Sequence, residues 1–115
     1  MTPEQREIAK KSLEMIRAGW IQGISRRTET IDGFPVRTSY CMVGAPYWAT
    51  GCAENGNYLA VASALAAVIR EQYPEWNFGF MCRDDIGIVI SFNDDPDRTQ
   101  DQVIAIYEKT LAKEQ

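Results

Sequence analysis

Between Tyr58 and Ile69 this chain offers almost no polar side chain, and that one segment sets the frame for the whole fold. Tyr58, Leu59, Val61, Ala62, Leu65, Val68 and Ile69 leave scarcely any polar face before Arg70, the pattern of a helix surrounded on several sides. Alanines at 60, 62, 64, 66 and 67 let neighbouring backbones come close. Asn55 or Asn57 can cap its start, and Tyr73-Pro74 ends it, so a central helix is expected over about 57–72. The segment falls short of the roughly 18 apolar residues of a membrane span. Membrane insertion is therefore not expected.

The flanking elements follow from local signals. Thr2, Pro3 and Gln5 form a capping box with proline at the first helical position, and Ala9, Leu13, Ile16 and Trp20 recur at helical spacing as a core-facing stripe.

 Helix 1 is expected over about 3–18, with Gly19 placed to close it in a left-handed conformation. At the other end Thr99 and Gln102 repeat the capping-box spacing ahead of Val103, Ile106, Tyr107 and Leu111, which gives a third main helix over about 100–113. Between residues 26 and 37 the period changes, and two short extended arms flank Asp32-Gly33, the dipeptide favoured in a type I′ hairpin turn. Pro35 cannot donate to a ladder, so this hairpin should be irregular and at an edge. A second hairpin is expected over about 78–92, with Phe78 to Met81 and Ile86 to Phe92 as its arms; a buried helix over 84–92 is the competing option. Tyr40 to Gly51 contains Gly44, Pro46 and Gly51, and is expected to be a packed irregular segment with at most one helical turn before Pro46. The expected fold class is α+β: one mainly helical domain over 1–115, with three main helices and one or two short hairpins.

Composition narrows function by exclusion. The chain has no histidine, which removes Ser-His and Cys-His nucleophile pairs and histidine-containing zinc sites. Three widely spaced cysteines, Cys41, Cys52 and Cys82, lack a paired zinc knuckle and fit reduced thiols better than a disulfide framework. No cofactor or metal is expected. Asp84-Asp85 and Asp94-Asp95 flank one apolar run, but the nine steps between Asp85 and Asp94 span about 30 Å extended or about 14 Å helical, too far for one ion unless the chain doubles back. A net charge of −4, without long runs of one sign, argues against direct nucleic-acid binding. The first residues lack the layout of a secretory signal, so the cytoplasm is the expected compartment.

The remaining candidates are binding residues. Trp20, Tyr47 and Trp48 can line a pocket or partner surface, or pack in the core. Arg26 offers a guanidinium fork for an anion, or a solvated charge. Asn93, Asp94 and Arg98 fall in a polar turn, where they can fix the corner structurally or contact a ligand.

The order Gly19-Trp20-x-Gln22-Gly23, Asp32-Gly33 with Pro35-Val36, Cys41-Met42-Val43-Gly44-Ala45, and Phe92-Asn93-Asp94 through Pro96-x-Arg98-Thr99-Gln100 resembles a family of short proteins of unknown function. Its members occur in bacteria, notably actinobacteria, and in their phages. The resemblance spans nearly the whole chain and implies a mainly helical domain in which the Asn93 to Thr99 turn is a shared corner; it assigns no catalytic residue. Phe92 stands where the pattern has tryptophan. The expected function is that of a non-enzymatic accessory protein, phage-encoded on the strength of the resemblance, which binds a host protein or a small ligand as an inhibitor or sponge. The alternatives are a small enzyme using a cysteine or an aspartate-metal site, and a structural homo-oligomer subunit.

Overall fold

The computed structural model describes residues 1–52, 55–74 and 84–113. Among these residues five helices and one antiparallel hairpin follow in the order α1 Pro3–Ala18, β1 Arg26–Ile31, β2 Phe34–Tyr40, α2 Gly44–Ala49, α3 Gly56–Gln72, α4 Asp85–Asp94 and α5 Gln100–Lys113. Both capping boxes form. Thr2 accepts from the Gln5 amide at 3.1 Å while Gln5 accepts from the Thr2 amide at 2.9 Å, and Thr99 and Gln102 exchange the same pair of bonds at 3.3 and 3.0 Å. Each satisfies donors that the first helical turn leaves open.

The central helix is α3, which packs against α1, α2, α4 and α5. Asn55 caps it by accepting from the Tyr58 amide at 3.0 Å; Asn57 instead accepts from Gln5 Nε2 at 3.2 Å and ties the helix to α1. One narrow stripe of α3, through Leu59, Ser63, Ala67 and Arg70, reaches solvent. Around it Ala9, Leu13 and Ile16 from α1, Val89 and Phe92 from α4, and Val103, Ile106 and Tyr107 from α5 complete the core. Burying side chains of this size stabilises by about 1.5–3 kcal/mol each before the cost of ordering them.

Three expectations need correction. Residues 85–94 form a helix, not the arm of a second hairpin. Ile86, Ile88, Ile90 and Phe92 alternate like a strand, yet the buried set is Ile88, Val89, Phe92 and Asn93, a helical stripe, and Asp84 starts it by accepting from the Gly87 amide at 2.6 Å. The other expected arm, Phe78 to Met81, lies outside the described residues. Gly19 closes α1 in extended backbone, φ −174°, not in the left-handed region. Its requirement is space, since a Cβ there would stand 2.6 Å from the Thr38 carbonyl oxygen. Pro46 does not stop the helix: it lies in the first turn of α2, between amides of Ala45 and Tyr47 that donate to Cys41 O and Val43 O, and the Met42 carbonyl that its missing N–H leaves open accepts instead from the Tyr107 hydroxyl at 2.6 Å.

The hairpin matches its sequence signals. Asp32 and Gly33 both take positive φ, 52° and 81°, as the tight turn demands. The register shifts between Glu29 and Thr30, opposite the Pro35 side of the ribbon. The base of β2 is held to α1's exit: the Tyr40 amide donates to Gly19 O at 3.0 Å and the Ile21 amide to Tyr40 O at 3.2 Å. Every residue of β1 is exposed.

Candidate functional site

Asn93 is the residue on which three chain segments converge. It is 1% exposed, at the end of α4, and its amide is fully used. Its Oδ1 accepts from Trp20 Nε1 at 2.7 Å and from the Met42 amide at 3.1 Å; its Nδ2 donates to Ile21 O at 3.1 Å and to Asp94 Oδ1 at 2.9 Å. One side chain thus joins the exit of α1, the start of the segment leading into α2, and α4. Asp94 extends the junction by accepting from the Gly23 amide at 3.0 Å. Gln22 closes it from the other side, donating through Nε2 to Asn93 O at 2.9 Å and Asp95 O at 2.7 Å. A buried polar group is tolerated only when its partners are present, and these are.

Arg98 serves the same corner. Its Nε donates to Phe92 O at 2.8 Å, and its guanidinium carbon stands 3.5 Å from the Phe92 ring centroid and 5.1 Å from that of Tyr73. Asp95 is more distant, at 3.9 Å. Burial draws the Arg98 pKa down, with the Tyr73 and Asp95 charges acting in the opposite direction. The ion pair of Arg98 with Asp95 is therefore secondary to ring stacking and to the bond that Arg98 donates to the Phe92 carbonyl.

A second group forms at the base of the hairpin. The Arg26 guanidinium lies 4.3 Å from the Trp48 ring centroid; Tyr47 meets Trp48 edge-on at 5.8 Å and Tyr58 at 5.9 Å. Trp48 Nε1 is enclosed and has no hydrogen-bond partner among the described residues. Gly44, at the start of α2, sits so close that a Cβ would fall 1.9 Å from Ser25 O, which lets α2 pack directly on the chain entering β1.

The sequence candidates thus fall into two clusters: Trp20, Asn93, Asp94 and Arg98 in the junction, and Arg26, Tyr47 and Trp48 beside the hairpin. Between them lies a hollow of about 140 Å³ lined by Gly23, Ile24, Ser25, Cys41, Val43, Ile90, Asn93 and Asp94. A neighbouring hollow of about 300 Å³ shares Ser25 and Val43 and is lined by Tyr47 and Tyr58. The first is below, and the second at the bottom of, the roughly 300–1,000 Å³ of ordinary ligand pockets.

Within the first hollow Cys41 is the reactive residue type, but its environment quenches it. Burial pushes the thiol above its ordinary value, against the lowering effect of hydrogen bonds from the Gly44 and Val43 backbone, and its Sγ accepts from the Gly44 amide at 3.2 Å. Cys52 is exposed, and Cys82 lies outside the described residues. The acidic pairs have structural work. Asp84 caps α4 and Asp85 pairs with Arg70 at 2.9 Å, while Asp94 and Asp95 hold the corner at the far end of the same helix. Among the described residues no three acidic or cysteine side chains come together as a metal site, and no helix is long and apolar enough to cross a membrane.

Sequence reasoning did not identify Gln22, Met42 or Gly44 as parts of the junction and its surroundings. Their partners lie 51 to 73 residues away in the first two cases, beyond any local periodicity. The only signal was that all three stand in the motifs that carry the family resemblance.

A small α+β domain, built around a caged asparagine and carrying an exposed two-stranded ribbon, is the class that fold and site define. The chain belongs to a family of unknown function, DUF6197, whose model matches residues 1–113. No curated protein and no solved structure matches it.

Proposed function

We infer that this is a non-enzymatic accessory protein that works by binding, with the hairpin ribbon as its docking surface for another polypeptide. The observation that carries this reading is the apolar tip: Ile31, Phe34 and Val36 are 63%, 74% and 55% exposed on a ribbon whose first strand is exposed throughout. A two-stranded hairpin gains little stability by itself, so large apolar side chains held out on one favour a partner surface over a role in the fold. The small hollows favour a polypeptide over a small ligand. The saturated Asn93 amide and the protonated, enclosed Cys41 thiol favour binding over bond-making.

A finer reading is an inhibitor or sponge, phage-encoded, which interferes with a host pathway. It is supported by the resemblance of the motifs to those of short proteins of bacteria and their phages. Native mass spectrometry of gently purified protein tests the docking reading: a bound polypeptide should be retained by the parent chain and released by the double variant Ile31→Thr/Phe34→Thr. Sustained turnover of a compound, lost on replacing Cys41 or Cys52, would contradict it.

A further inference from the structure

We propose that the open edge of β1 pairs antiparallel with β1 of a second copy about a two-fold axis through Thr28, joining two hairpins into one four-stranded sheet. The proposal rests on the reading of the hairpin as a docking surface and names its occupant.

The two edges of the hairpin are not equivalent. The β2 edge is occupied at its base by Gly19 to Ile21, and near its tip Pro35 has no N–H to give. Among the described residues the β1 edge carries neither obstacle, and every residue of the strand is exposed. Backbone direction along it follows from one bond: the Cys41 amide donates to Ser25 O at 3.1 Å, so Ser25 and its opposite residue form a hydrogen-bonded pair. Such pairs alternate along an antiparallel ladder. Ser25, Arg27 and Glu29 therefore point their backbone groups at β2, and Arg26, Thr28 and Thr30 point theirs outward, away from it.

Only registers that set outward residues against outward residues can bond. Of the symmetric ones, those centred on Arg27, Thr28 and Glu29 keep most of the strand paired, and charge separates them. An axis through Arg27 sets arginine against arginine, and one through Glu29 sets glutamate against glutamate, both unfavourable directly across strands. An axis through Thr28 sets Arg27 of each copy against Glu29 of the other, twice, and pairs Arg26 with Thr30. The ladder then holds about six hydrogen bonds, two from each of three bonded pairs. The same register brings Ile31 opposite Ser25, next to Ile24, which is itself 51% exposed. Apolar side chains that each copy holds in water thus meet at the rim of the apolar hollow of the other.

Strands of this length make a small interface, so association is expected at micromolar concentrations and not nanomolar ones. Sedimentation velocity over a dilution series should show a reversible monomer-dimer equilibrium. Thr28→Pro removes an outward N–H and the exposed hydroxyl bond to Thr38 at 3.2 Å but no backbone bond of the ladder to β2, and should leave a folded monomer at concentrations up to about 0.5 mM. Arg27→Glu and Glu29→Arg should each weaken self-association at least about tenfold, by placing like charges across the axis. Mixing these two single variants should restore dimers, because each then meets an opposite charge at both positions; circular dichroism confirms that each is folded.

A parent chain that stays monomeric throughout, or a dimer unaffected by Thr28→Pro and by both charge variants, overturns the proposal. If the chain stays monomeric but the Ile31/Phe34 variant still releases a captured polypeptide, the docking reading stands and the self-pairing does not. If neither is seen, both fall.

Discussion

The Asn93 junction and the hairpin ribbon are built on opposite plans. In the junction every polar atom of one buried amide is paired, and the segments it joins are far apart in the chain. On the ribbon the pairing is local, the apolar side chains face water, and among the described residues one edge is open. The comparison teaches where stability and availability are separated: the junction makes the fold unique, while the ribbon holds surface that the fold does not need.

The comparison can be broken most forcefully at Asn93. Asn93→Ala strands the Trp20 indole N–H and the Met42 amide without an acceptor, and should cost about 3 kcal/mol or more at roughly 1–3 kcal/mol per buried unsatisfied group, read from urea unfolding. Gly44→Ala forces a methyl into the Ser25 carbonyl and should cost about 1–3 kcal/mol, provided α2 shifts to relieve it. Tyr107→Phe removes a buried hydroxyl that donates to Met42 O at 2.6 Å, and should cost about 1 kcal/mol in the same assay.

Alkali offers a gentler probe. Burial raises the Cys41 thiol above 9.0 and the Tyr107 hydroxyl well above 10.0, so both ionise more readily in the unfolded chain than in the fold. Their contribution is complete below the unfolded values and is lost as pH rises toward the raised folded ones. The melting temperature should accordingly fall as pH climbs past 9, and Cys41→Ala should flatten the first part of that fall. The ribbon gives the smallest effect on folding. Phe34→Thr should change monomer stability by within about 0.5 kcal/mol, while weakening association.

Legibility in the sequence followed the same division. The capping boxes at Thr2 and Thr99, the Asp32-Gly33 turn and the apolar run of α3 were all readable because their partners lie within a few residues. The helix α4 was ambiguous because alternate isoleucines imitate a strand, and tertiary packing on α3 decides between the two. Asn93 was visible as a turn residue but not as a hub, since its acceptors and donors come from residues 20, 21 and 42. Gly19 was visible as a helix end, though for a different reason: the close passage of β2 that excludes a side chain there depends on the assembled fold.

Hydrogen exchange, resolved by residue on dilute protein, compares the two regions in one experiment. The Met42 amide, which donates to Asn93, should exchange only through global unfolding, while the outward Thr28 amide should exchange within about tenfold of an unstructured peptide. Easy exchange at Met42 together with strong protection at Thr28 in the monomer would contradict the assignment of stability to the junction and availability to the ribbon.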